Sequence, residues 1–174
     1  MMGRFSGLVL VALATLVFAQ PARADGVGIE LAGLIGTGVD TGKADNNPYA
    51  LQIGAAADLI VAGWVLGFRY TRSVGTNADC VGPNCRNVDD VRTLGADLGW
   101  DWQLLKILHI SPRFGVGQVR EANDGLRAPY IEPGGVAEVQ IALLVVGVDL
   151  RYRVAIKDTV ANGFLANARI GLRF

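Results

Sequence analysis

From Val27 to Phe174 the sequence alternates apolar residues with polar or small ones at a period of two, not the 3.6 of an amphipathic helix. The last stretch shows it most plainly. Phe164, Ala166, Ala168, Ile170, Leu172 and Phe174 fall on one face, and Asn167, Arg169, Gly171 and Arg173 fall on the other. The same period predicts strands near Val27–Gly38, Tyr49–Leu59, Gly63–Arg72, Val91–Trp102, Leu108–Val119, Gly135–Leu143, Val146–Val154 and Phe164–Phe174. The connections alternate in length. Residues 39–48, 73–90, 120–134 and 155–163 read as longer loops, and 60–62, 103–107 and 144–145 as short turns. Long loops at one end and short turns at the other are the pattern of an up-and-down transmembrane barrel.

The parity within each segment sharpens that expectation. The apolar set runs through Val27, Ile29, Leu31 and Ile35, then Tyr49, Leu51, Ile53 and Leu59, then Trp64, Leu66, Phe68 and Tyr70, and on through Leu94, Leu98, Trp100 and Trp102 to Phe174. No charged residue falls in the set so assigned, whereas ionisable residues well inside the segments take the other parity. A charge facing the bilayer midplane costs about 2–4 kcal/mol, so the apolar face is expected to point outward into lipid. The aromatics sort by end: Trp64, Trp100 and Trp102 lie beside short turns, and Tyr49, Tyr70 and Tyr152 beside long loops. They are expected to form two interfacial girdles. A soluble lipocalin-like barrel would invert this parity around an apolar cavity.

The chain closes on Ile170-x-Leu172-x-Phe174, which resembles the C-terminal assembly signal of bacterial outer-membrane barrels. With the eight alternating segments, it resembles the small eight-stranded barrels of the OmpA and OmpX type along residues 25–174. The resemblance implies a monomeric integral protein of the Gram-negative outer membrane. It implies lipid and lipopolysaccharide as surroundings, and the barrel-assembly machinery and periplasmic chaperones as partners in biogenesis. The N-terminus fits export: Arg4 precedes an apolar run over residues 7–19, and Ala22-Arg23-Ala24 has the small-x-small form of a signal-peptidase site. Residues 1–24 are read as a signal peptide and 25–174 as one barrel domain. That run is too short for a spanning helix, which needs about 20 residues.

The opposite parity is crowded with charge. Arg69, Arg113, Arg151, Arg153, Arg169 and Arg173 balance Glu30, Asp58, Asp97, Asp101, Glu138 and Asp149, with His109 among them. An eight-stranded barrel is just wide enough for its own side chains, so this set is expected to form a closed, ion-paired plug. Hairpin register is expected to place Asp101 opposite His109, Asp97 opposite Arg113, Glu138 opposite Arg151 and Gln140 opposite Asp149. Pro112 removes a ladder donor within a strand and is expected to mark a bulge.

One constellation offers a chemistry. His109 and Ser111 share a face and Asp101 approaches from the neighbouring strand, the residue types of a base, a nucleophile and an orienting acid. The His-x-Ser spacing is similar to that of outer-membrane lipid A deacylases, but this trio faces inward near the periplasmic end, away from outer-leaflet substrate. The expected function is therefore structural and surface-interacting, through the loops, with no catalytic residue. The alternatives are a narrow channel or small-ligand carrier and a deacylase-like enzyme.

Composition adds boundaries. After residue 24 there are 14 basic and 16 acidic residues, too balanced to recruit nucleic acid. One histidine offers no metal cluster, and no cofactor motif occurs. Cys80 and Cys85 are the only cysteines, five apart in the longest polar loop, and in an exported chain they are expected to form a disulfide.

Overall fold

The computed structural model describes residues 26–41, 49, 51–74, 79–81, 84–86, 91–121, 127–156 and 162–174. The signal peptide read over residues 1–24 lies outside them. The elements are β1 (Val27–Asp40), β2 (Gln52–Val61), β3 (Trp64–Ser73), β4 (Asp79–Val81), β5 (Asn84–Arg86), β6 (Val91–Trp100), β7 (Trp102–Gln103), β8 (Leu108–Glu121), β9 (Arg127–Ile141), β10 (Leu144–Ala155) and β11 (Gly163–Arg173). Each of the eight long strands pairs antiparallel with its chain neighbours, β6 pairs with β8, and β1 pairs with β11, so the sheet closes on itself. The small β4–β5 hairpin stands apart from the wall. Closure removes the edges that would leave backbone groups unpaired in lipid.

The stagger can be traced residue by residue. From Gly28 the partners run Ile60, Val65, Gly99, Arg113, Gly134, Arg151 and Leu165, and return to β1 at Gly38, ten positions nearer the loop end. Ten residues of shear over eight strands correspond to a strand tilt of about 40°. Each step from β1 toward β11 therefore climbs toward the loops by about 3 Å.

Polarity is inverted relative to a soluble domain. Ile29, Leu31, Ile35, Leu66, Phe68, Leu98, Phe114, Val146, Val148 and Ile170 are exposed on the wall, whereas Glu30, Asp149, Arg151, Arg153 and Arg169 are at most 1 % exposed inside it.

Three local features differ from the sequence reading, each for a backbone reason. β9 begins at Arg127, not near Gly135, because Pro129, Pro133, Gly134 and Gly135 read as loop while the wall accommodates them. The β9–β10 ladder skips the position of Pro133, between Arg151 opposite Gly134 and Val154 opposite Ile131, where proline has no N–H to give. Second, the β9–β10 turn falls at Ala142 and Leu143, since Ile141 pairs with Leu144. That slip sets Glu138 opposite Gly147, Gln140 opposite Val145, Asp149 opposite Val136 and Arg151 opposite Gly134, so the two expected pairings do not form.

Third, Pro112 makes no bulge. Gly99 pairs with Arg113 and Trp102 with Ile110, so the register runs unbroken past it, and β6 and β7 are one wall strand interrupted at Asp101. The proline cannot donate to the Trp100 carbonyl, and the hydroxyl of Ser111 donates to it instead at 3.1 Å. Asp101 N–H turns aside to the Gly63 carbonyl at 2.7 Å. The register also sets Gln103 opposite His109 and Asp97 opposite Gly115, so neither Asp101 opposite His109 nor Asp97 opposite Arg113 forms as expected.

The β2–β3 turn places Ala62 at φ 49° and Gly63 at φ 87°, both left-handed, as a two-residue hairpin requires. Ala62 bears a steric cost there that glycine would not. Ala62→Gly is expected to raise the urea midpoint of the refolded barrel by about 1 kcal/mol of stability, and Gly63→Ala to lower it by a similar amount. Tryptophan fluorescence of both variants checks this, since a midpoint that falls for Ala62→Gly contradicts the turn geometry.

Candidate functional site

The closed wall encloses two ion clusters stacked along the axis. Nearer the short turns, Arg169 binds Glu30 Oε1 through Nη2 at 2.6 Å and Asp58 Oδ2 at 2.5 Å, with Glu138 Oε2 at 3.4 Å from its Nε. Arg113 Nη1 donates to Asp58 Oδ2 at 2.7 Å. Arg173 reaches Glu30 Oε2 at 2.7 Å and Asp101 Oδ2 at 3.2 Å, and also touches Glu138. Nearer the loops, Arg151 forks onto Asp97 with two bonds of 3.1 Å and holds Asp149 at 2.5 Å. Arg69 pairs with Asp149 at 3.2 Å and with Glu132, and Arg153 Nε donates to Glu132 at 2.7 Å. Every arginine of the inward set meets at least one carboxylate, the arrangement that buried guanidinium groups require.

The expected residues are therefore inside, but the pairing differs. Arg113 serves Asp58, three strands away around the wall, and Asp97 is taken by Arg151. Strand register fixes nearest neighbours, whereas arginine spans the lumen and chooses among several carboxylates. Glu132 was missed because Pro129 and Pro133 place it in an apparent loop, and it joins the six expected carboxylates inside. Glycine makes the space: a Cβ on Gly67 would lie 2.6 Å from Asp58 Oδ1 and 3.4 Å from Arg113 Nη1.

Above the upper cluster the lumen turns apolar. Tyr49, Val91, Val119, Ala128, Tyr130 and Leu165 pack into one buried cluster. The Arg153 guanidinium lies 5.5 Å from the Tyr49 ring centre and 4.6 Å from that of Tyr130. Tyr49 was expected on the outer girdle and is instead fully buried. It precedes β2, so the strand's parity does not govern it, and it turns inward to cap Arg153. The other girdle residues sit on the wall. Trp64 and Trp100 pack edge to face at 4.8 Å beside Trp102 at the turn end, and Tyr70 and Tyr152 are exposed near the loops.

The apolar wall also carries charge that the sequence reading left out. Arg72, Arg92, Arg120 and Arg127 are exposed, and all lie at the loop ends of their strands.

The trio of Asp101, His109 and Ser111 is brought together only in part. His109 Nδ1 lies 3.0 Å from Asp101 Oδ2 and 3.0 Å from Arg173 Nη1. Its Nε2 has no partner among the described residues, while the Ser111 hydroxyl is engaged by Trp100. No nucleophile–base bond is formed. A vestibule of about 350 Å³ opens beside Asp101, His109 and Arg173 at the turn end. No group of three potential metal ligands converges among the described residues.

Arg151→Ala is expected to cost about 3–5 kcal/mol, because it strands Asp97 in the lumen and leaves Asp149 to Arg69. Ser111→Ala is expected to cost only about 1 kcal/mol, the worth of one hydrogen bond. Urea unfolding of the two variants checks the order, and an Arg151→Ala barrel no weaker than Ser111→Ala contradicts the network.

No protein-family model matches the sequence, and no curated protein does. Solved structures do match in shape. Neisserial surface protein A superposes with a TM-score of 0.55 at 12% identity, covering 84% of this chain and 95% of that one. Ail, the attachment invasion locus protein of Yersinia pestis, gives 0.51 at 14%, covering 85% and 97%. The N-terminal barrel of Pseudomonas aeruginosa OprF gives 0.55 at 10%, covering 87% and 99%. This chain has the fold of the small eight-stranded outer-membrane barrels.

Proposed function

We propose that the chain is a monomeric integral protein of the bacterial outer membrane, exported through the signal peptide at residues 1–24. Its lumen is a closed plug, and its loops and outer rim make contact with the surroundings. The observation that carries this reading is the inverted polarity of a closed wall, with Leu31, Phe68, Leu98 and Ile170 outside and Arg69, Arg151 and Arg169 paired inside. Such a surface is stable only where apolar atoms meet lipid. Ail, named for attachment and invasion, lends support by analogy of fold to a surface-contact role.

The two ion clusters and the apolar layer of Tyr49, Val119 and Tyr130 above them favour a plug over a conducting pore. The engagement of the Ser111 hydroxyl by Trp100 speaks against deacylase chemistry. In the loop, Cys80 stands directly opposite Cys85 in the β4–β5 ladder. That placement and export to an oxidising compartment support a disulfide that shapes the loop tip.

The folded protein is expected to migrate differently before and after boiling on a detergent gel, to fractionate with outer membranes, and to give no steady conductance in planar bilayers. A soluble periplasmic product would overturn the reading, and a steady single-channel current would replace the plug with a pore. A proteolytic peptide spanning Cys80 and Cys85 is expected to be two hydrogens lighter under non-reducing mass spectrometry. Alkylation of both thiols without reduction rules the bond out.

A further inference from the structure

The two ion clusters of the lumen are not equally balanced. Nearer the loops, the ion pairs of Arg69, Arg151 and Arg153 take in Asp97, Glu132 and Asp149, three against three. Nearer the short turns, those of Arg113, Arg169 and Arg173 take in Glu30, Asp58, Asp101 and Glu138, four carboxylates to three guanidinium groups. A buried carboxylate in excess calls for a cation. Lys106, in the adjoining turn, is exposed.

The excess lies beside an opening. The vestibule of about 350 Å³ is lined by Asp101, His109, Gln103 and Gln140 among its polar residues and by Val27 and Leu143 among its apolar ones. Asp101 and His109 are at most 6 % exposed, yet Asp101 Oδ1 and His109 Nε2 have no hydrogen-bond partner among the described residues. A carboxylate only accepts, so Asp101 Oδ2, 3.0 Å from His109 Nδ1, assigns the imidazole proton to Nδ1. Arg173 Nη1, also 3.0 Å from Nδ1, has the same Asp101 oxygen to donate to at 3.2 Å. Nε2 therefore keeps a bare lone pair. The amide nitrogens of Gln103 and Gln140 donate to the Lys106 and Ala142 carbonyls at 3.0 and 2.9 Å, which leaves their oxygens as acceptors.

Acceptors gathered beside an excess negative charge select a cation that carries N–H groups. A metal ion suits the place less well, since no three ligating side chains converge among the described residues. A primary ammonium brings one positive charge and three donors on a single atom. An aliphatic stem on that ammonium would find Val27 and Leu143 beside it. The volume suits a small ligand, at the lower end of the range of about 300–1,000 Å³ for such sites.

We propose that the vestibule at the turn end is a binding site for a small aliphatic amine in its ammonium form, held by Asp101 Oδ1 and His109 Nε2 with the amide oxygens of Gln103 and Gln140. The outer-membrane reading puts this end of the barrel on the periplasmic side, and the site goes beyond that reading.

The test uses the barrel of residues 25–174 in phosphatidylcholine nanodiscs, isotopically labelled at histidine, whose single imidazole gives an unambiguous nitrogen NMR signature. It is titrated at neutral pH with n-butylammonium, with n-butanol as the neutral counterpart, with tetramethylammonium as a cation lacking N–H, and with sodium. Nε2 is expected to resonate as an unprotonated nitrogen in the free barrel and to shift on adding n-butylammonium, which binds about tenfold more tightly than the other three probes. D101N is expected to lose that preference while keeping the heat-dependent gel shift of an assembled barrel. Should D101N fail to assemble, Q103L is expected to weaken n-butylammonium binding about fivefold. An imidazole protonated on both nitrogens in the free barrel overturns the site, because the histidine then balances the fourth carboxylate itself. Equal binding of any other probe overturns it, as does a preference that survives these substitutions. Binding seen only after acetylation of the N-terminus also overturns it, in favour of the chain's own ammonium. Each of these results leaves the outer-membrane reading intact, whereas a chain that forms no heat-shifted barrel in lipid sinks both.

Discussion

Six guanidinium groups shut inside a ring of hydrogen-bonded backbone set the terms for the rest of this molecule. None can be left without a counter-charge in the lumen. Each must meet carboxylates carried by other strands, so the ring can close only in a register that delivers them. Arg169 alone draws on Glu30 from β1 and Asp58 from β2, and Arg151 draws on Asp97 from β6. The strands are thus tied across the lumen as well as along their ladders. A slip of one residue would put every charge into lipid.

The lumen's ion pairs decide what the fold can do. A selectivity ring needs unpaired charge of one sign and a continuous water path. Here every arginine of the lumen is engaged by a carboxylate in one of two layers, and the tyrosines pack against Arg153 at the loop end. On the reading proposed above, contact with the surroundings therefore falls to the exterior.

The architecture was legible in the sequence because a period of two is fixed by backbone geometry and is independent of tertiary detail. Ile170, Leu172 and Phe174 against Arg169 and Arg173 could be sorted without a structure, and the wall sorts them the same way. Pairings were less legible. A hairpin predicts the residue opposite, but Arg113 bypasses its neighbours and finds Asp58, since a long side chain's partner is set by three-dimensional closure. Glu132 and Tyr49 were misplaced for a related reason: prolines hid the strand that carries one, and the other lies just before a strand, where parity has no hold. Ser111 looked like a nucleophile because residue types carry no record of a missing proline N–H. Its hydroxyl replaces that donor for Trp100.

The four outer arginines obey the same exclusion that built the plug. Charge is kept out of the apolar band, so Arg72, Arg92, Arg120 and Arg127 lie at the loop ends of their strands. Their row across β3, β6, β8 and β9 leans at the tilt that ten residues of shear impose, so the edge of the apolar band is set by the same closure that delivers carboxylates to the arginines inside.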